Sequence, residues 1–198
     1  PRSTPLYSSA ASDVYKRQGI EVRYSGDPEE VLPSLTSYVL MGLLKNIIGT
    51  PKVNFVSASH LARQRGIGIS QAYLSRRTDY SEFVEIIIKA EGEDLRLAGA
   101  LLGDVHPRIV RIRDYHVDIV PEGTLIVLKN QDVPGVIGRV GTLLGRHAIN
   151  IAEYHQARLT VGGEAMATIA VDGKVDSKVR DALTDLPEVS TAVVIKLS

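Results

Sequence analysis

The chain has 198 residues, no net charge at pH 7, 44% hydrophobic and 23% charged residues, and no cysteine. A neutral chain gives no electrostatic case for nucleic acid or an anionic membrane surface, and the lack of cysteine excludes disulfides and thiolate-bound metals. The first residues form no secretory hydrophobic region, and the strongest apolar run, Tyr38 to Leu44, meets Lys45 at once. A soluble cytoplasmic protein is the default expectation.

Residues 1–18 are rich in Ser, Ala and Pro with no apolar period, and read as a disordered or non-native tail. The run from Ser8 to Gln18 looks like adapter read-through in gene data, which implies a longer native chain upstream. A first domain is expected over 19–120. Ile20, Val22 and Tyr24 alternate as in a strand, ended by Gly26-Asp27-Pro28. Leu32, Leu35, Val39, Leu43 and Ile47 recur at helical spacing behind Pro33, with Gly49 and Pro51 as the stop. Val53 to Val56 leads into a second helix around Ser59 to Arg65. Period-two segments follow from Ile67, then at Glu82 to Ala90, Leu95 to Leu102, Arg108 to Ile112 and Tyr115 to Ile119. Turns separate them at Glu91 to Asp94, Gly103-Asp104 and Arg113-Asp114. The expectation is an antiparallel sheet covered by one or two helices.

Two features of this half invite a functional reading. Arg65-Gly66-Ile67-Gly68-Ile69 lacks the third glycine and following helix of a dinucleotide loop. Arg108, Arg111 and Arg113 make a basic run that is either a solvated face, neutralised by Asp114 and Asp118, or an anion site.

The second domain is expected over 124–198, after the turn Pro121-Glu122-Gly123. Leu125 to Leu128 is apolar on both faces, as in a central strand. A helix from Pro134 to His147 is expected to bury Val136, Ile137, Val140, Leu143 and Leu144, with Gly138, Gly141 and Gly145 on a smooth opposite face. The next strand starts with Ile149 and Ile151, with Ala157 and Leu159 expected on the same face, and Gly162-Gly163 turns the chain. Ala165, Ala167, Ile169 and Val171 alternate in the following strand. A helix carrying Val175, Val179, Ala182, Leu183 and Leu186 ends at Pro187, and Val189 to Leu197 makes a last alternating strand. Strand, helix, strand, strand, helix, strand is the ferredoxin-like split order. One sheet face carries both helices, and the other needs a partner or solvent.

The segment Asn130 to Ile151 carries the chemistry. A strand ends in Asn130 and Asp132, Val133-Pro134-Gly135 turns, and a helix opens at Val136 and Ile137. Helix starts offer unpaired N–H groups and partial positive charge, which suit a carboxylate. Asp132 can accept from an ammonium, and Asn130 and Asn150 add amides. Alone, this turn also reads as an ordinary helix start capped by Asp132 or its neighbours. The histidines His60, His106, His116, His147 and His155 have no recognisable catalytic or metal-ligand spacing.

The topology, D-x-P-G at this turn and N-I after the helix resemble the ACT regulatory domain. The run from Pro107 through Ala152, with the V-N-F-V-S-A and R-G-I segments before it, is similar to the C-terminal part of long-type D-3-phosphoglycerate dehydrogenases. There an allosteric-substrate-binding domain precedes the ACT domain. The resemblance implies an α+β chain: an antiparallel-sheet domain with covering helices, then a βαββαβ ACT domain. It implies a homo-oligomeric regulatory fragment of an NAD-dependent enzyme of L-serine biosynthesis, with L-serine or another small amino acid as feedback effector. The effector contacts it implies are Asn130, Asp132, Val133, Pro134, Gly135, Val136 and Ile137, with Asn150 and Ile151 from an adjoining subunit. Arg108 is its best-matched basic position for an anion in the first domain. NAD and the catalytic His, Glu and Arg belong to domains outside this sequence, so the chain alone is expected to hold no cofactor and to be inactive. The competing readings are a free-standing ACT sensor and the small chain of an iron–sulfur L-serine dehydratase, whose P-S-S-S-H-T signature is missing.

Overall fold

The computed structural model describes residues 19–48, 53–75, 80–89 and 92–197. The tail 1–18, the helix stop at Gly49 and Pro51, and Ala90 and Glu91 lie outside the described residues. The chain divides into two compact units at His106/Pro107. Among the described residues no helix is long and apolar enough to cross a membrane.

In the first unit, β1 (Gly19–Ser25) is followed by a single 3-10 turn, α1 (Leu32–Ile48), α2 (Ser57–Gln64), β2 (Gly68–Tyr73), β3 (Glu82–Lys89) and β4 (Leu95–Leu102). The strand order is β2-β1-β3-β4. β1 runs antiparallel to β3 but parallel to β2, so the sheet is mixed where alternation had suggested hairpins alone. Alternation reports which residues face the core and carries no strand direction; the parallel pair follows from the long helical connection between β1 and β2. Ile20, Val22 and Tyr24 are buried, as their spacing predicts.

The core stripe of α1 lies one residue from the predicted one. Leu32, Thr36, Leu40 and Leu44 are buried, while Leu35, Val39, Leu43 and Ile47 pack beside them half-buried. Thr36 is tolerated there because its hydroxyl donates to Leu32 O (2.8 Å) and accepts from Gln71 Nε2 (2.7 Å). Val53 to Val56 forms a turn whose Asn54 Oδ1 accepts from the N–H groups of Val56 and Ser57 at the start of α2.

The second unit comprises the hairpin β5 (His106–Ile112) and β6 (Tyr115–Ile119), then β7 (Thr124–Gln131), α3 (Val136–Arg146), β8 (Asn150–Arg158), β9 (Glu164–Asp172), α4 (Ser177–Thr184) and β10 (Val189–Lys196). The last four strands form an antiparallel sheet in the order β10-β7-β9-β8. The order strand, helix, strand, strand, helix, strand is the expected split arrangement.

Central strand β9 is buried on both faces. Its Ala167, Ile169 and Val171 join Ile126, Leu128, Val140, Leu144, Val179 and Leu183 in the core under the helices. Met166 belongs to a second core on the opposite face, with Leu125 and with Tyr115, Val117 and Ile119 of β6. The face left open by sequence reasoning is thus partly covered by this hairpin. Tyr115 Oη donates to Glu164 Oε1 (2.9 Å) and ties the hairpin to the start of β9.

Two β-bulges set which residues face which core. One lies in β8 between Ile151 and Glu153, the other in β10 between Val189 and Thr191. A bulge inserts one residue and reverses the alternation beyond it. In β10 this sends Ala192 and Val194 to the helix side and leaves Val193 and Ile195 partly exposed.

Candidate functional site

The site is built where β7 hands over to α3. Gln131 N donates to Glu188 O (2.9 Å) and Asp132 N to Gly163 O (2.8 Å), so both flanking segments hold the end of β7. Gly135 then adopts φ 90°, a conformation that favours glycine, and the helix opens at Val136. The fully buried Val140 and Leu144 with Val136 anchor the helix to the sheet.

The N-cap is Gly135, which has no side chain to offer the first turn. Asp132 does not cap it; its carboxylate accepts instead from Arg158 Nη1 (2.9 Å), Gln156 Nε2 (3.2 Å) and Gly162 N (3.3 Å). The Arg158 bond, followed by the Gly162 N–H, holds the Asp132 carboxyl below the usual carboxylate range. The pair is solvated on one side only, with the Arg158 side chain 54% exposed and that of Asp132 16%.

Next to this cluster is a pocket of about 390 Å³. Asp132 and the turn from Val133 to Ile137 line one side, and Gln156, Arg158, Val161 and Gly162 the other. Ile137 corrects an expectation: it is 51% exposed and edges the pocket instead of joining the core. Buried Val136, Val140 and Leu144 fix the inward face of the helix, and Ile137 lies about 100° round from Val136.

Sequence reasoning missed Gln156 and Arg158. It placed Ala157 and Leu159 on the face of Ile151, but the bulge after Ile151 turns Tyr154 to the helix side, while Ala157 packs in the opposite core. Gln156 pairs across with Ala167 and Arg158 with Ala165, in phase with Tyr154 and Ile169, so both lie toward Asp132. No pattern in single-residue hydropathy marks the extra residue.

Three expected contact residues lie outside the pocket. Asn130 is 2% exposed; its Nδ2 donates to Gln131 O (2.8 Å), and its Oδ1 has no hydrogen-bond partner among the described residues. Asn150 stands at the far end of β8, opposite Asp172, and donates to its Oδ2 (2.6 Å). Half-buried Ile151 packs against the helix-side core. One copy of the chain therefore gathers Asp132 through Ile137 but does not bring Asn150 or Ile151 to them.

The basic run is also rearranged. Arg108 Nε pairs with Asp118 Oδ1 at 3.1 Å. A bulge separates Ile109 from Arg111, and Arg113 sits in the β5–β6 turn with φ 54°, so the three arginines of the basic run do not lie along one strand face.

Comparison with known proteins finds two families in succession along the chain. Residues 13–113 match the D-3-phosphoglycerate dehydrogenase intervening domain, and residues 124–188 match the ACT domain. The chain is 30% identical over 181 residues to a D-3-phosphoglycerate dehydrogenase of Bacillus subtilis, covering 91% of this chain and 34% of that protein. It is 34% identical over 165 residues to one of Archaeoglobus fulgidus, covering 82% of this chain and 31% of that protein. A Methanocaldococcus jannaschii relative of the same name is 30% identical over 179 residues, 90% of this chain and 34% of its own length. The chain thus spans about a third of the length of these relatives. It belongs to the D-3-phosphoglycerate dehydrogenase family, of which it carries the intervening domain and the ACT domain.

Proposed function

We propose that this chain is the effector-sensing part of an NAD-dependent D-3-phosphoglycerate dehydrogenase, and that its ACT domain binds L-serine as feedback inhibitor. The observation that carries this reading is the glycine-capped helix start beside Asp132, on a pocket of small-metabolite size. The first-turn N–H groups suit a carboxylate, and Asp132 suits an ammonium. Val133, Pro134, Val136 and Ile137 give the apolar wall against which a short side chain packs. In this reading, oxidation of 3-phosphoglycerate with NAD belongs to parts of the parent enzyme outside the third of its relatives that this chain spans.

A dimer completes the site in this reading. In one chain Asn150 is eight residues from Arg158, about 26 Å along the strand at roughly 3.3 Å per residue. β8 is an edge strand. Antiparallel pairing of β8 with β8 of a second copy brings the Asn150 end of one strand beside the Arg158 end of the other. Inhibition then requires that serine bind one arrangement of the oligomer better than another.

Isothermal titration of the chain with L-serine tests the proposal. Saturable binding is expected, weakened about tenfold by Asp132→Asn or Asn150→Ala, the scale of one charge-assisted contact. Equal affinity in both variants refutes the assignment of these residues.

A further inference from the structure

We infer that Arg158, a residue outside the expected effector contacts, is the carboxylate anchor of the effector site. The inference rests on the proposed amino-acid reading and deepens it. Three observations carry it. The bulge in β8 turns Arg158 out of the expected phase and onto the pocket. Its guanidinium lies 2.9 Å from Asp132, the acid assigned to the ammonium. Gln156, which bridges to the same carboxylate through Nε2, keeps a buried Oε1 with no hydrogen-bond partner among the described residues.

The Nε2 donation fixes the Gln156 amide, because a carboxylate only accepts. The orphaned Oε1 then means that the cluster is not fully satisfied as it stands. An α-amino acid matches the cluster charge for charge. Its ammonium takes the place of the Arg158 guanidinium on Asp132, and the displaced guanidinium takes the ligand carboxylate together with the helix start. One ion pair is exchanged for two. The Arg158 side chain is 54% exposed, so its guanidinium can move off Asp132 without unpacking a core, and Gln156 and the Gly162 N–H stay on the carboxylate.

The ligand class follows. The site takes zwitterions and discriminates against an amine without a carboxylate and against a carboxylate without an amine. Arg158 supplies most of the first discrimination, and the helix start supplies the rest.

The test is titration of the full 198-residue chain, wild type, Arg158→Gln and Arg158→Lys, with L-serine and with L-serinamide, which keeps the ammonium and hydroxyl but lacks the carboxylate. Wild type is expected to prefer serine by about ten- to a hundredfold. In Arg158→Gln this ratio falls to a few-fold while serinamide affinity holds, and Arg158→Lys restores part of it. Circular dichroism confirms that each variant is folded. An unchanged ratio in Arg158→Gln overturns the assignment of Arg158 alone. Tighter serine binding in that variant also overturns it, since Arg158 would then only compete for Asp132. A wild type that binds neither compound overturns this inference and the amino-acid reading together.

Discussion

Gly135 and Gly141 lie six residues apart, and alanine at the two positions is expected to act with opposite sign. Gly135 holds φ 90° at the mouth of α3. An L-residue in the left-handed region costs about 1–2 kcal/mol. A Cβ there would also lie 2.9 Å from Arg139 Nη1. That guanidinium is held by Glu188 in two bonds of 3.1 and 2.6 Å, and its displacement loosens a surface pair worth up to about 1 kcal/mol. Gly135→Ala should therefore destabilise by roughly 1–2.5 kcal/mol. Gly141 has no positive φ, and its Cβ would meet only Ile151 Cδ1 at 3.9 Å, an ordinary contact. Gly141→Ala in the helix interior should stabilise by about 0.5–1 kcal/mol. Urea denaturation followed by far-ultraviolet circular dichroism reads both. With a slope of about 2 kcal/mol per molar, Gly135→Ala lowers the midpoint by roughly 0.5–1.2 M and Gly141→Ala raises it by a few tenths. A neutral or stabilising Gly135→Ala refutes the left-handed helix entry on which the site geometry rests.

Other substitutions probe the two cores and the tyrosines. Leu144→Ala empties a fully buried position and should cost about 2–5 kcal/mol by the same denaturation assay. Thr36→Val keeps the shape of the α1 stripe but removes the acceptor of the exposed Gln71 amide, which can turn to water, and should cost about 0.5–1.5 kcal/mol. Burial raises the phenols of Tyr24, Tyr115 and Tyr154 to about 12, above their ordinary value. The folded state thus favours the protonated phenol, so this stability is fully present below about pH 10 and is lost between about pH 10 and 12, at about 1.4 kcal/mol per pH unit for each tyrosine. Tyr154→Phe removes a buried hydroxyl with no partner; it should leave neutral stability unchanged or higher and make the alkaline loss shallower by one tyrosine's share. Tyr115→Phe should cost about 1 kcal/mol at pH 7 through its bond to Glu164.

The order of elements was legible because each rests on a local signal. Ile20, Val22 and Tyr24 alternate, Pro33 starts a helix, and Pro134-Gly135 turns into another. What escaped has particular causes. Whether β2 runs with or against β1 depends on the path of the chain through α1 and α2, which alternation does not encode. Thr36 reads as polar, yet it sits in the core because two hydrogen bonds satisfy its hydroxyl. The bulges are the most consequential omission. One inserted residue in β8 carries Gln156 and Arg158 to the side of Asp132, and nothing in the residues Ala152-Glu153 announces it. The candidate site was therefore half legible. Its turn was marked by D-x-P-G, whereas its opposite wall depends on a change of phase that hydropathy does not show.

The central claim is that a free amino acid occupies the turn between β7 and α3. Amide chemical shifts of the isotopically labelled chain, recorded as L-serine is added, test it most directly. The account predicts saturable shifts at Gly135, Ile137, Gly138 and Gly162 and at the Arg158 side chain, with Tyr24 and the rest of β1 unmoved. Serine at saturating concentration that leaves the β7–α3 turn and Arg158 unshifted would contradict it.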